Sequence, residues 1–311
     1  MKSKRSRNLP NEVTVRVPAS TSNCGAGFDT LGMAVALYNT VIVRRCAEGA
    51  GVRGAHAAHL GATMASEAAA LFFARSGTTP FDFTFQISGD VPISRGLGSS
   101  VTLSAGIVAG LNELSGAGLT MLVLAEILTK HEGHPDNATA GVLGGFCVGR
   151  THPETGDLLG VVRKEIGREL TFVVVSPAQQ LETKKARGIL PRKLPYFDAV
   201  RSVNSSSYVV AAFLTGEYDR LAHAVADFMH EPFRLPRIPG AQDAIRAGVA
   251  AGALTGWLSG SGSSVLCVAK PARASRVGRA MAEAFANVGV TSETFKLRAD
   301  NHGLKVLSRR R

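Results

Sequence analysis

The glycine-rich stretch between Pro92 and Ser104 constrains the fold more than any other segment of the chain. It reads PISRGLGSSVTLS and places Gly96-Leu97-Gly98-Ser99-Ser100 directly before an apolar pattern of helical period. Glycines let a backbone approach an anion closely, and a helix N-terminus offers unpaired N–H groups and partial positive charge. The segment therefore predicts a phosphate-binding turn that leads into a helix. The apolar face of that helix consists of Ile107, Val108, Leu111 and Leu114.

Other interpretations of this turn remain open from the loop alone. It is not a GxxxxGK[ST] loop, because no lysine follows its second glycine, and it lacks the third glycine of a dinucleotide-binding GxGxxG motif. A glycine-serine turn that caps an ordinary helix would look the same. In the phosphate-binding interpretation, the hydroxyl of Ser99 or Ser100 could also serve a hard cation such as Mg²⁺.

Two further segments accompany the loop. Pro18 to Ala34 reads PASTSNCGAGFDTLGMA, and Leu258 to Leu266 reads LSGSGSSVL. In order and spacing, the three segments resemble the three motifs of the GHMP kinases, a family that includes galactokinases, homoserine kinases and mevalonate kinases. The first segment meets the pattern PASxxNxGxGFDxLGxA, which is similar to that of the homoserine kinases.

Three more motifs strengthen the resemblance to homoserine kinases, which covers nearly everything from Val13 to Val306. They are HPDN at 134–137 ahead of Gly144-Gly145-Phe146, TKxAR at 183–187 ahead of Leu190-Pro191, and Arg234 ahead of Ile238-Pro239-Gly240. The chain departs from the family pattern at Cys24, Val101 and Ser263. None of these departures removes a group that phosphate chemistry needs.

The resemblance implies an α+β, two-domain GHMP kinase fold. We expect an N-terminal domain like domain 2 of ribosomal protein S5 over residues 1–166, and a ferredoxin-like α+β domain over residues 167–311. Among the local patterns, the alternation of Phe81 to Ser88 predicts a strand. Gly141 to Gly149 is typical of a strand, and Tyr218 to Met229 of a helix.

The resemblance also implies an ATP- and Mg²⁺-dependent kinase that phosphorylates L-homoserine and forms a homodimer. By position it assigns ATP binding to Pro92, Arg95, Gly96, Leu97, Gly98, Ser99, Ser100, Thr102, Ser259, Gly260 and Gly262. It assigns the metal to Ser100 and to a glutamate eight residues before the HPDN histidine, which is Glu126. Glu132, two residues before that histidine, is a rival. A solvated helix position is the alternative for Glu126.

Homoserine carries an ammonium, a carboxylate and a hydroxyl, so its site needs an acidic group and a guanidinium fork. By resemblance the substrate-binding residues are Asn23, Asp29, His134, Asp136, Thr183, Arg187 and Arg234. Asp29, Glu126 and Arg187 are the expected catalytic residues. The general base stays open: Asp29 is expected to position the hydroxyl, with proton acceptance as an alternative.

Charge and cysteine usage limit the remaining classes of function. Four basic and no acidic residues lie in residues 1–8 and again in 305–311, so the rest of the 311-residue chain holds only +3 of the net +11. We therefore expect solvated basic ends and no nucleic-acid partner. The absence of a long apolar run excludes a membrane span. The chain also has four scattered cysteines without a CxxC pair and no signal-like N-terminus, which favours the cytoplasm.

Three competing functions follow from the same residues. The HEGH run at 131–134 spaces its histidines three apart and is followed by Pro135, so a zinc-binding HExxH helix is excluded. A GHMP kinase for another small alcohol, such as a mevalonate-pathway acid, would use the arginines but would not need Asp29. A catalytically idle ATP sensor of the same fold is the third, and the intact GLGSS loop argues against it.

Overall fold

The computed structural model describes residues 9–54, 59–180, 183–224 and 226–311, with only the backbone given for 59, 60 and 183–185. Two β-sheets with helices against them form the α+β arrangement that the sequence predicts. The strands are β1 (Glu12–Ser22), β2 (Leu31–Arg45), β3 (Arg53–Gly54), β4 (Phe83–Gly89), β5 (Phe146–Thr151), β6 (Leu158–Lys164), β7 (Thr171–Pro177), β8 (Thr255–Leu258), β9 (Val265–Ala269), β10 (Ser292–Leu297) and β11 (Lys305–Arg310).

The helices alternate with these strands along the chain. They are α1 (His59–Ser76), α2 (Ser99–Ser115), α3 (Met121–Glu132), α4 (Asp136–Leu143), α5 (Thr183–Gly188), α6 (Tyr196–Thr215), α7 (Glu231–Arg234), α8 (Ala241–Ala250) and α9 (Ala274–Ala286). Short 3₁₀ turns at 218–223, 235–237 and 271–273 complete the helical segments. No helix within the described ranges is both long and apolar enough to cross a membrane.

The first sheet has the strand order β11-β1-β2-β4-β3, and β5 and β6 extend from the start of β2. Helix α2 lies directly against β2, and glycines make this close approach possible. A Cβ at Gly106 would lie 2.4 Å from Val41, and one at Gly110 would lie 2.6 Å from Val43. Because the helix buries almost every residue from Val101 to Leu111, the phosphate loop at its N-terminus is held rigidly.

The second sheet has the antiparallel order β10-β7-β9-β8. Helices α8 and α9 cover one face, where Val173 and Met281 are buried in a shared apolar cluster. The other face packs toward the first sheet, because Phe172 lies in one buried cluster with Leu31 and Phe146. The two sheets therefore share an interface. A domain boundary between residues 166 and 167 stays a prediction.

Two local predictions are wrong. Residues Asp136–Leu143 form α4 rather than a strand, because Pro135 opens a helical turn there and only Phe146 onward is extended. The segment from Tyr218 forms a 3₁₀ turn that ends at His223 rather than a helix to Met229. Beyond it, both carboxylate oxygens of Asp227 accept backbone N–H bonds that fix the next turn, including that of His230 at 2.7 Å.

The C-terminal basic run is not a solvated end. Residues Lys305–Arg310 form β11, which pairs antiparallel with β1. Val306 packs against the first-sheet core, and the Arg309 guanidinium donates to both carboxylate oxygens of Glu113 at 2.6 and 2.9 Å. The charged residues of β11 lie at the two ends of the strand, around Val306 and Leu307, and charged side chains are common on an edge strand such as this one. Residues 1–8 lie outside the described part of the chain.

Candidate active site

A cleft of about 470 Å³ opens between the two sheets, at the N-terminus of α2. The β1–β2 loop, the glycine-rich loop, the α3–α4 junction, α5, α7 and the β8–β9 turn each contribute to its wall. Six of the predicted ATP-binding residues line this cleft: Arg95, Gly96, Gly98, Ser99, Ser100 and Gly260. The predicted phosphate loop and the predicted substrate residues therefore face one space.

Neighbouring backbone and side chains hold the glycine-rich loop in place. Gly96 and Gly98 have φ angles of 74° and 69°, in the left-handed region that favours glycine. A Cβ at Gly96 would lie 2.0 Å from the carbonyl oxygen of Ser259, and one at Gly98 would lie 2.4 Å from the hydroxyl of Ser20. Both positions thus exclude any side chain.

Five predicted ATP-binding residues stand behind the loop, and the cleft lining does not include them. These are Pro92, Leu97, Thr102, Ser259 and Gly262. The Ser259 hydroxyl donates to the carbonyl of Gly96 at 2.6 Å, and that of Thr102 donates to the carbonyl of Ser99 at 2.7 Å. Leu97 is fully buried in the core between the sheets. Ser259 and Thr102 therefore support the loop backbone, and contact of these five residues with ATP stays a prediction.

The two candidate metal carboxylates lie in different places, and the metal assignment itself stays a prediction. Glu126 accepts from Arg75 Nη2 at 3.2 Å on the outside of α3 and does not line the cleft. Glu132 does line it, and Oε2 of Glu132 accepts from the Ser100 hydroxyl at 3.4 Å. Six residues separate the two glutamates, which turns their side chains about 120° apart around the helix and about 9 Å apart along it. The oxygen pair at the loop is therefore Ser100 and Glu132.

Asp29 and Arg187 form the centre of the polar end of the cleft. Each of two guanidinium nitrogens of Arg187 donates to one carboxylate oxygen of Asp29, at 2.8 Å. The hydrogen bonds that Arg187 donates to Asp29 raise the pKa of Arg187 above its ordinary value. Asn23 holds the loop in shape: its Oδ1 accepts from the Asp29 backbone N–H at 3.1 Å, and its Nδ2 donates to the Gly260 carbonyl at 3.0 Å.

The HPDN motif contributes a buried histidine–aspartate pair. Nδ1 of His134 lies 2.5 Å from Oδ1 of Asp136, which also accepts from the Asn137 backbone N–H at 2.6 Å. Burial opposes protonation of the ring, but the carboxylate of Asp136 outweighs it and raises the pKa of His134 to about 9. His134, Asp136 and Asp29 bring polar atoms within 4.8 Å of one another, so charges of both signs converge here.

Arg234 completes the polar end. It is only 4% exposed, its Nε donates to the Ala186 carbonyl at 3.2 Å and its Nη1 donates to the Gly260 carbonyl at 3.4 Å. Burial, with the neighbouring charge of Arg187, lowers the pKa of Arg234 to about 10, so it remains cationic at neutral pH. Two guanidinium groups thus face a single acidic loop. Thr183 opens α5, and its side chain lies outside the described residues.

Several lining residues escape sequence reasoning. An apolar wall at the other end of the cleft includes Met64, Phe85, Ile87, Val91 and Leu103. The alternation of β4 predicts a strand but not which face meets a cleft. Asn137, inside the HPDN motif, bridges two β1 hydroxyls, because its Oδ1 accepts from Ser20 at 2.8 Å and its Nδ2 donates to Ser22 at 3.0 Å. Its position in the motif is the signal that could have identified it.

Comparison with known proteins shows the family to which the chain belongs. A family model described as GHMP kinases N terminal domain matches residues 63–145, and one described as GHMP kinases C terminal matches residues 209–287. A homoserine kinase of Moorella thermoacetica is 36% identical over 303 aligned residues that cover 94% of this chain and 99% of that protein. The chain belongs to the homoserine kinase family of GHMP kinases.

A second curated relative and two solved structures are also similar to this chain. The homoserine kinase of Deinococcus radiodurans is 38% identical over 267 residues, covering 82% of this chain and 83% of that protein. The crystal structure of a homoserine kinase from Cytophaga hutchinsonii superposes with a TM-score of 0.86 at 26% identity, covering 97% of this chain and 99% of that one. A mevalonate diphosphate decarboxylase from Staphylococcus aureus shares the fold alone, with a TM-score of 0.73 at 12% identity and coverage of 96% and 99%.

Proposed function

We propose that this protein transfers the γ-phosphoryl group of ATP to the hydroxyl of L-homoserine, forming O-phospho-L-homoserine on the route to threonine. The observation that carries the proposal is one cleft that joins a glycine-rich helix entry to Asp29, Arg187 and Arg234. Membership of the homoserine kinase family supports it independently. A zwitterionic acceptor matches the charges of both signs at the polar end.

The substrate's charged groups match the side chains of the polar end one by one. The α-carboxylate would bind the guanidinium groups of Arg187 and Arg234, for which a planar fork is suited. Asp29, held by Asn23, would accept from the ammonium, with His134 and Asp136 beside it. Held in this way, the hydroxyl would point toward the phosphate loop. Most of the rate enhancement then comes from positioning, which is the main requirement of phosphoryl transfer.

The rest of the cleft suits ATP. The phosphates would lie on the backbone between Gly96 and Ser100 at the N-terminus of α2, and the base would pack on the apolar wall of Phe85, Ile87 and Leu103. The phosphates of a nucleoside triphosphate need an anion-binding site, and its base needs an apolar surface. The cleft has both.

Two side-chain oxygens at the loop fit Mg²⁺. The Ser100 hydroxyl and the Glu132 carboxylate are hard ligands 3.4 Å apart, which is the donor set that this ion prefers. When bound, the ion supplies charge neutralisation at the β- and γ-phosphate oxygens. Ser99 lines the same wall and offers a second hydroxyl.

We assign Asp29 to positioning. Each of its carboxylate oxygens accepts a hydrogen bond from Arg187, so the pair holds the carboxylate in a fixed orientation toward the acceptor. A loose transition state also asks little of a base, because bond formation to the attacking oxygen is not far advanced.

An ADP-release assay over a panel of small alcohols tests the proposal. Purified protein with ATP and Mg²⁺ should release ADP fastest with L-homoserine, and more slowly with mevalonate, shikimate and D-glycerate. Faster turnover of mevalonate than of homoserine would overturn the substrate while leaving a kinase. No ADP release with any acceptor would favour the idle sensor.

Two further properties stay predictions. The family resemblance supports a homodimer and a cytoplasmic location. Sedimentation velocity at micromolar concentration should give the mass of two chains, and a monomer would refute the dimer.

A further inference from the structure

A fully buried histidine stands directly behind the substrate-binding residues. His230 precedes α7, and its ring stacks on Phe28 with centroids 5.3 Å apart. Its Nε2 lies 2.9 Å from the Gly25 carbonyl, and its Nδ1 lies 3.5 Å from Nη1 of Arg234. It thus contacts both the loop that presents Asp29 and the more deeply buried arginine, although it does not line the cleft itself.

Three groups around the ring fix its protonation, and one of them, Oδ2 of Asp227 at 3.7 Å from Nε2, favours a proton on that nitrogen. A carbonyl only accepts, so Nε2 of His230 must carry the proton that is donated to Gly25. A guanidinium only donates, so Nδ1 must be unprotonated to accept from Arg234. The ring is therefore neutral and in one tautomer. Burial lowers the pKa of His230, in the same direction.

Arg234 needs such a partner to be aimed correctly. Its Nε and Nη1 are engaged behind the cleft by Ala186, Gly260 and His230. Its Nη2 makes no hydrogen bond within the described residues, so two donors remain for a ligand. Because the three contacts engage Nε and Nη1, which lie on different edges of the guanidinium, the plane is held on two sides and Nη2 remains as the donor for a ligand.

We propose that His230 is a positioning residue that aims Arg234 at the α-carboxylate of the acceptor and joins it to the loop that carries Asn23 and Asp29. This inference rests on the proposed function. It assigns to the acceptor site a residue that itself touches no substrate. Its consequence is selectivity: the benefit of His230 extends only to acceptors that carry the carboxylate.

Two substitutions separate the two contacts of the ring. His230→Asn places an amide oxygen near the position of Nδ1, where it can still accept from Arg234, but loses Gly25. His230→Gln places an amide N–H near Nε2, where it can still donate to Gly25, but loses the acceptor for Arg234. His223→Gln, at an exposed position on the preceding 3₁₀ turn, is the matched control.

The measurement is the KM and kcat of each variant for L-homoserine and for 3-aminopropan-1-ol, which lacks only the carboxylate. His230→Gln should raise the KM for homoserine about tenfold, the effect of losing one hydrogen bond to a charged group. Its kcat, its KM for ATP and its KM for 3-aminopropan-1-ol should change less than about threefold. His230→Asn should restore most of the homoserine KM, and His223→Gln should change nothing.

Equal effects of His230→Gln on both acceptors, or none on homoserine, would overturn the proposal. If the variants do not fold, ¹⁵N NMR of the histidine-labelled wild-type protein decides. At pH 7 His230 should show a protonated Nε2 and an unprotonated Nδ1 whose shift moves with homoserine but not with 3-aminopropan-1-ol. A spectrum that shows His230 as an imidazolium, or as the tautomer protonated on Nδ1, would refute the proposal. Absence of homoserine turnover by wild type would instead refute the proposed function.

Discussion

Replacing Arg234 by alanine should damage homoserine turnover more than replacing Arg187. Arg234 is 4% exposed, whereas the side chain of Arg187 is 45% exposed. Losing one partner of a buried charged pair costs about 2–5 kcal/mol, much of it from the charge left unpaired. Taking about 3 kcal/mol for Arg234, kcat/KM for homoserine should fall roughly 150-fold.

The half-exposed Arg187 should contribute less free energy to carboxylate binding than the buried Arg234. Water screens the charge of Arg187, and removing this side chain frees Asp29 for the substrate ammonium. Arg187→Ala should therefore lower kcat/KM for homoserine about tenfold, near 1.4 kcal/mol. A coupled ADP-release assay at subsaturating homoserine gives kcat/KM directly. Arg246→Ala is the control, since the side chain of this α8 arginine is 68% exposed and pairs with Asp243 on the surface. Nucleotide binding without acceptor should change little in all three variants.

The ranking itself is the test. If Arg187→Ala costs more than Arg234→Ala, the depth of burial does not set the energy of carboxylate binding. If both variants keep full homoserine activity, neither arginine binds the carboxylate, and the acceptor assignment is wrong.

Three other outcomes follow from the structure. Glu132→Gln should raise the Mg²⁺ concentration for half-maximal activity at least about tenfold, whereas Glu126→Gln should leave it unchanged; the reverse would restore the assignment from sequence spacing. Gly98→Val should abolish ATP binding in a folded protein, because its Cβ would lie 2.4 Å from Ser20 Oγ, and normal binding by calorimetry would contradict this. Burial raises the pKa of Glu231 to about 8, so its contribution to stability is complete below the ordinary value near 4.5 and is lost as pH rises through about 8. Glu231→Gln should therefore unfold at a higher temperature than wild type at pH 9 but not at pH 4.5, and parallel curves would refute this.

The sequence predicts the backbone geometry of the glycine-rich loop well because the requirements for that geometry are local. Left-handed glycines and a helix entry lie within a few residues, and Gly96 and Gly98 adopt that geometry. The sequence could not tell which glutamate meets the glycine-rich loop, because spacing along the chain does not give the rotation of a side chain around its helix. Glu126 and Glu132 lie on the same helix, yet only the packing of α3 decides which of them meets Ser100.

Contacts between distant segments lie beyond any motif. His230 and Gly25 are 205 positions apart, and no period or spacing connects them. The Arg187–Asp29 pair spans 158 positions, and only the family resemblance suggested that both residues belong to one site. The C-terminal strand was missed because Lys305, Arg309 and Arg310 give it a net charge of +3 and its short sequence shows no regular alternation.

That last strand has a consequence for biosynthesis. β11 closes the first sheet against β1, although nearly 300 residues are made between the two. While the ribosome is still adding the second sheet, the outer edge of β1 is an open row of N–H and C=O groups, which invites pairing with another chain. A truncation that removes β11 therefore acts on the first sheet, because the nascent protein needs residues 305–310 to cover the open edge of β1.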